Sequence, residues 1–275
     1  MNRLFVVNKP INQGSNYYLR KIKRKYKIKK AGFSGTLDPF ACGCLIVAFG
    51  KYTQLFQFLS KTPKSYRTTI WLGASSPSLD NEKVYDLHNH KSYDENYLKD
   101  KLQELVGDIS YFPPKYSAKR IDGKRAYDLA REGIDFELKT VHSKIYDVKF
   151  INYNHPYISF DISVSEGSYI RSIAQEFLDS IDGVGTLSYL ERLNEGKFKF
   201  DNEKALNPLE YLALEHIKYT GSKEWIELGK KILPEYLEHN TLGKYIIAFD
   251  DFFSIIEIKE EKISYLLNKV SLNEN

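Results

Sequence analysis

Asp38 sits in a loop punctuated by glycine: Gly32-Phe33-Ser34-Gly35-Thr36-Leu37-Asp38-Pro39, with Gly43 just beyond. Glycines let a backbone take unusual angles and approach a ligand closely. Pro39 keeps Asp38 out of the helical region. Two readings compete. Asp followed by Pro is an ordinary helix start, with Asp as N-cap and Pro at the first helical position. Alternatively, the carboxylate is a nucleophile or base. It is the only carboxylate side chain in the first 79 residues, among 14 Lys and Arg. Surrounding cations favour its ionised form, which suits the second reading.

Other residues are ambiguous alone. Tyr66, in Lys64-Ser65-Tyr66-Arg67, reads as a core or sheet aromatic, or as a stacking ring. Arg171, in Gly167-Ser168-Tyr169-Ile170-Arg171-Ser172, falls where a strand turns into a helix. It is either solvated or a planar cation paired with a carboxylate or phosphate. Lys9, before Pro10, is equally open. Several chemistries fail on spacing. Gly50-Lys51 is followed by Tyr52, and position 45, where a phosphate loop needs Gly, is Leu. There is no G-x-G-x-x-G and no G-x-S-x-G nucleophile elbow. His88 and His90 lie in a polar stretch without a metal-binding constellation. Cys42 and Cys44 are poorly spaced for a disulfide and have no partners for zinc.

The elements that must position these residues are partly legible. Residues 4–7 read as a short buried strand ended by Lys9-Pro10. Ser15 is a plausible N-cap for a helix from Asn16, with Leu19, Ile22 and Tyr26 on one stripe. Eight of the eleven residues 20–30 are basic, so the opposite stripe is a cationic ridge. Residues 45–49 and 65–72 read as strands, and 53–59, 97–106, 124–132 and 169–178 as helices, the last closed by Asp182-Gly183. Residues 141–151 and 157–164 alternate like strands of one sheet. Pro208 and the acidic stretch after it mark a boundary. Residues 245–258 suggest a hairpin around Asp250-Asp251. This mixture indicates an α+β class.

Composition narrows the function. The 275 residues allow one large domain, or one with a small appendage. Hydrophobic residues, 42% of the chain, suffice for a sizeable core. No apolar run is long enough to span a membrane, and the N-terminal apolar stretch is too short for a secretory signal. Together with two unpaired cysteines, this points to a reducing, cytoplasmic setting. The net charge of +4 conceals an asymmetry: residues 1–79 carry +13 and the remainder −9. So basic a segment looks for a polyanion.

Five ordered motifs then carry a resemblance. They are Gly32 to Asp38-Pro39 with Gly43; Lys64-Ser65-Tyr66-Arg67; and Pro114-Lys115-Tyr116-Ser117-Ala118 with Gly123-Lys124 and residues 127–133. Gly167-Ser168-Tyr169-Ile170-Arg171-Ser172-Ile173 and Tyr189-Leu190-Glu191-Arg192-Leu193 complete them. Over about residues 3–215 the chain resembles the bacterial tRNA pseudouridine-55 synthases, the TruB family. The resemblance implies a pseudouridine-synthase fold: a mixed, mainly antiparallel sheet flanked by helices, with a catalytic cleft. It implies isomerisation of the T-loop uridine at position 55 of tRNA, with no metal or organic cofactor. Asp38 matches the catalytic aspartate, Tyr66 the tyrosine that stacks on the base, and Arg171 the arginine paired with the aspartate. Leu190 matches an apolar contact in the same pocket, and Lys9 the lysine of a supporting Lys-Pro motif. Residues 116–148 match an insertion that closes over the RNA.

Two departures stand out. Phe33 replaces a His usual in the family; Phe can stack against substrate but cannot donate a hydrogen bond. Residues 216–275 match only an abbreviated PUA-like region, so the catalytic domain is expected over 1–215. Lys21, Lys23, Lys25 and Lys27 are expected to contact RNA phosphates. Nothing requires more than a monomer or an obligatory protein partner. The rival readings are a non-catalytic tRNA-binding or folding chaperone, and a pseudouridine synthase acting on another RNA.

Overall fold

The computed structural model describes residues 1–117, 119–260 and 262–272. Ala118 of the third motif, and residues 261 and 273–275 of the C-terminal region, lie outside the described residues. The chain opens with β1 (Arg3–Lys9), α1 (Ser15–Lys25), β2 (Ala31–Ser34) and β3 (Cys42–Phe49), then 3-10 turns at Gly50–Gln57. There follow β4 (Lys64–Leu72), α2 (Glu95–Gln103), β5 (Gly107–Tyr111) and α3 (Ala126–Arg131). Next come β6 (Val141–Asn154), β7 (Tyr157–Val164), α4 (Ile170–Ser180) and β8 (Gly185–Glu195). One eight-stranded sheet runs β1-β3-β8-β4-β7-β6-β5, with β2 also paired to β3. Pairing is antiparallel except between β3 and β8, where Cys42 and Gly43 align with Glu191 and Arg192. The mixed, mainly antiparallel sheet with flanking helices is the architecture expected of an α+β pseudouridine-synthase fold.

Burial follows the alternation of the strands. β4 buries Lys64, Tyr66, Thr68, Ile70 and Leu72 on one face. There Tyr66, Ile70 and Leu72 pack with Phe160 and Ile162 of β7 and with Ile170, Ile173 and Phe177 of α4. β8 has no such simple alternation. It carries register shifts between Leu187 and Tyr189 and between Arg192 and Asn194. Each bulge flips the facing of the residues beyond it. Leu187, Leu190, Arg192 and Glu195 are therefore all buried.

Several sequence expectations change in detail. α1 begins at Ser15, with Gly14 as its N-cap and no side-chain cap. The Ser15 hydroxyl is engaged elsewhere. Its apolar stripe is as expected: Ile22 is buried, and Leu19 and Tyr26 pack beside it. Where a helix is expected over 53–59, 3-10 turns run over Gly50–Gln57 and Leu59 forms an isolated bridge with Leu212. In the third motif, Lys124 and Arg125 belong to a small hairpin, so α3 starts at Ala126. Residues 141–148 of the expected insertion are part of the sheet, paired to both β5 and β7. Only the stretch before β6 leaves the sheet.

The C-terminal part holds β9 (Glu215–His216), β10 (Gly243–Ala248), β11 (Phe252–Lys259) and β12 (Lys262–Ser271) in one four-stranded sheet. The β10–β11 hairpin turns at Asp250-Asp251 as the sequence suggests. One face packs against the main sheet: Ile246, Phe253, Ile255 and Val270 share a core with Leu4, Val6, Cys44, Ile46 and Ala48. The appendage is fused to the back of β1 and β3 through continuous apolar contact.

Candidate active site

Residues 35–41 contain no helix, so Asp38-Pro39 is not a helix start. The loop is held by its neighbours. Ser15 Oγ donates to the Leu37 carbonyl and accepts from the Leu37 amide, both at 2.9 Å. This double clip is why Ser15 does not cap its own helix. Lys9 has no exposed surface. Its ammonium donates to the carbonyls of Pro10, Gln13 and Pro39, tying the turn after β1 to the residue following Asp38. Burial pulls its pKa down to about 8, against opposing pulls from Cys42 and Asp38.

Arg171, in the first turn of α4, is 4% exposed. Its Nη2 lies 2.9 Å from Asp38 Oδ2 and its Nη1 lies 3.2 Å from Asp80 Oδ2. The same two nitrogens donate to the carbonyls of Tyr116 and Ser78. Every direction of the fork facing these groups is used. Asp80 is itself buried and receives Ser78 Oγ at 2.6 Å. No sequence motif marks it, although it is the first carboxylate after Asp38.

Asp38 does not match the simple expectation that cations hold its carboxyl low. Burial pushes its pKa above the ordinary carboxylate value; Arg171 pulls it down, Asp80 pushes it up, and Lys9 pulls it down. A third of the side chain (33%) still faces open space, so the group is accessible and its desolvation incomplete.

That space is a cavity of about 350 Å³ lined by Asp38, Tyr66, Arg171 and Leu190, among others. Lys64, Lys119, Arg125 and Arg192 also line it, so cations outnumber the single carboxylate. Tyr66 and Leu190 reach it from β4 and β8, whose register sets Leu190 opposite Thr68 and Arg192 opposite Tyr66. The structure thus brings together Asp38, Tyr66, Arg171 and Leu190, with Lys9 beneath the loop. Phe33 is not part of the lining. It pairs with Val47 across β2 and β3 and packs, half-buried, beside Phe5, Ile22 and Phe49. The face of its strand, rather than its place in the motif, decides this.

The basic residues divide. Lys25 is tied to Glu203 at 2.6 Å, and Tyr26 donates to the same carboxylate. Lys21 lies over the Tyr17 ring at 4.9 Å. Lys23 lines a shallow concavity with Arg20, Arg24 and Lys29, and Lys27 sits exposed in the turn after α1. None of the four lines the cavity.

Residues 23–170 match the model of the TruB family pseudouridylate synthase (N terminal domain). The chain is 53% identical to tRNA pseudouridine synthase B of Sulfurovum sp. (strain NBC37-1) over 270 residues, 98% of each chain. It is 49% identical to tRNA pseudouridine synthase B of Campylobacter jejuni (strain RM1221), covering 98% of this chain and 99% of that one. The chain belongs to the TruB family. A chain of the archaeal box H/ACA sRNP Nop10-Cbf5 complex superposes with a TM-score of 0.66 at 17% identity, covering 98% of this chain and 85% of that one. That likeness concerns the fold. The family match spans the Asp38 loop, Tyr66 and the start of α4, and the longer matches extend it through β8 and the C-terminal sheet.

Proposed function

We infer that this chain is a tRNA pseudouridine synthase, isomerising uridine to pseudouridine at position 55 in the T-loop, with Asp38 as its reactive carboxylate. The observation that carries the reading is the Asp38–Arg171 pair at 2.9 Å, opening into a cavity that also presents Tyr66 and Leu190. A uridine's glycosidic bond cannot be reached inside a stacked loop, so the nucleotide is flipped out to enter the cavity. The Tyr66 ring supplies a stacking face, worth ~1–3 kcal/mol in such contacts. Leu190 supports the base from the neighbouring strand. Asp38 serves as nucleophile or base while the N1–C1′ bond breaks, the uracil turns, and C5 bonds to C1′. The hydrogen on C5 leaves as a proton, and N1 ends protonated. Arg171 compensates the Asp38 charge in a partly dry site, where an unpaired carboxylate is costly.

Lys9 holds the loop from below. The cationic lining and α1 favour RNA phosphates. Residues 1–215 are the catalytic unit and 216–275 the PUA-like appendage. The enzyme acts in the cytoplasm as a monomer on the tRNA T-arm.

Tritium release from tRNA labelled at uracil C5, by the wild type and by Asp38→Asn, tests this. Release by the wild type alone supports the assignment. No release by a wild type that still binds tRNA tightly replaces it with the binding-protein reading or with another RNA substrate.

A further inference from the structure

In the wall of the cavity lies a second buried ionic cluster that the isomerisation steps do not use. Glu195 and Arg192 of β8 and Lys64 of β4 are all buried, Glu195 at 0% exposure. Arg192 Nη2 lies 2.8 Å from Glu195 Oε1, and Lys64 Nζ lies 2.9 Å from Glu195 Oε2. Residues three apart on a regular strand face opposite ways. Here the bulge between Arg192 and Asn194 sets Glu195 opposite Lys64, just as Arg192 stands opposite Tyr66. The bulge therefore puts carboxylate and guanidinium on one face, towards the cavity.

Arg192 reaches further. Its Nε donates to the Cys44 carbonyl at 2.8 Å and its Nη2 to the Gly35 carbonyl at 2.9 Å. Tyr66 also favours its charged form. Gly35 is left-handed (φ +67), and a Cβ there would meet Glu195 Oε2 at 3.0 Å and Arg192 Nη1 at 3.1 Å. The backbone that opens the Gly35–Asp38 stretch lies directly on this ion pair. Gly43 (φ +101) repeats the theme: a Cβ there would lie 2.3 Å from the Arg192 carbonyl oxygen. One guanidinium is thus bonded to the start of the Asp38 loop and to β3, and it interacts with Tyr66, which stands opposite Arg192 across the two strands. Glu195 holds that guanidinium by charge: its two oxygens meet Arg192 and Lys64 as ion pairs, without an aligned hydrogen bond to either.

We propose that Glu195 is a positioning residue for the reaction: acting through Arg192, it sets the Asp38 loop and the Tyr66 ring at their working separation. Its carboxylate neither lines the cavity nor pairs with Asp38. Two buried cations balanced by one carboxylate leave a residual positive charge at the cavity wall. Glu166, half exposed, meets it from the rim, 3.0 Å from Lys61 and 3.9 Å from Lys64. Removing the Glu195 charge leaves Arg192 and Lys64 to repel each other, and the fork loses its anchor. Displacements of about 1 Å in such a site cost on the order of a hundredfold in rate.

This rests on the proposed roles of Asp38 and Tyr66, and the experiment separates the two failures. Single-turnover tritium release with enzyme in excess gives a rate constant for bound tRNA and an amplitude for the active fraction. Filter binding gives tRNA affinity. Glu195→Gln is expected to lose about a hundredfold in rate constant, with wild-type tRNA affinity and full amplitude. Glu195→Asp, which keeps the charge, is expected to recover part of that loss. A merely structural role would lower amplitude and melting temperature and leave the rate constant alone; that result overturns the proposal. So does a loss confined to tRNA affinity. Should Glu195→Gln fail to fold, Arg192→Lys decides. It keeps the charge balance but cannot span Gly35, Cys44 and Glu195 together, and a wild-type rate constant in it overturns the proposal. A wild type without release refutes the proposed function instead.

Discussion

Asp38 and Asp80 hold the two terminal nitrogens of one guanidinium: Arg171 Nη2 meets Asp38 at 2.9 Å and Nη1 meets Asp80 at 3.2 Å. Arg171 cannot neutralise both carboxylates fully, and Asp80 pushes the Asp38 pKa upward. A carboxylate that must be ionised to react loses activity as pH falls through its pKa. The acid limb of the pH–rate profile is therefore expected above the ordinary carboxylate range. Asp80→Asn removes the upward push, so its acid limb is expected to move to lower pH. The lost anchor on Arg171 is expected to lower the plateau about ten- to hundredfold, the usual cost of a charged hydrogen bond. Rates of tritium release from about pH 4 to about pH 8, spanning the ordinary and raised carboxylate ranges, check both. An unmoved acid limb would disconnect Asp80 from Asp38.

The raised pKa of Asp38 also bears on stability. Its folded pKa lies above its unfolded value, so between the two the native state binds more protons. Its contribution is fully present below the unfolded pKa and is lost as pH rises through the folded one. At neutral pH an ionised Asp38 therefore weighs against folding. Asp38→Asn is expected to match or exceed the wild-type melting temperature at neutral pH while abolishing turnover. A clear drop in melting temperature there would mean that the Arg171 pair outweighs burial.

Much of the molecule is legible in the sequence where the strand period is intact. β4 alternates without interruption, and β6 and β7 are recognisable as neighbours. β8 is not legible as a strand, though its motif is. Two bulges break its two-residue period, and those bulges bring Leu187 and Glu195 onto the face of Leu190 and Arg192. Asp38, Tyr66, Arg171 and Leu190 are legible through their motifs. Asp80 is not, because the charge contrast that isolates Asp38 ends one residue before it. Phe33 shows the converse. Its place in the motif suggests substrate contact, but its strand turns the ring towards Phe5 and Phe49. The role of Ser15 depends on a partner 22 residues away, which no local capping rule reveals.

Breaking the Ser15 clip should be felt at Asp38. Ser15→Ala leaves the buried Leu37 amide and carbonyl without their partner, at a cost of about 1–3 kcal/mol for such groups. Much of it is expected as looser placement of Asp38 rather than a looser α1, since Ser15 does not cap that helix. Turnover should fall about tenfold or more at near-normal tRNA affinity. Loss of tRNA binding with unchanged single-turnover rate would assign Ser15 to the helix instead.

The basic ridge should not act as a unit. Lys25 is engaged with Glu203, whose pKa lies below its ordinary value; burial opposes that shift, while Lys25 and Tyr26 drive it. Lys21, Lys23 and Lys27 have no carboxylate partner among the described residues. Each of these three that meets a phosphate in the complex releases about one counterion. Neutralising Lys21, Lys23 and Lys27 to Gln together is expected to weaken tRNA binding and to reduce the slope of log K against log salt by about one for each phosphate no longer neutralised. Lys25→Gln is expected to leave that slope near wild type and to lower the melting temperature slightly, because it frees Glu203 beside Tyr26. Binding titrations from about 50 to about 200 mM salt, roughly the range over which such contacts are resolved, compare the two variants. A triple variant with the wild-type slope would remove α1 from the RNA interface. A reduced slope for Lys25→Gln alone would mean that RNA displaces Glu203 from Lys25 on binding.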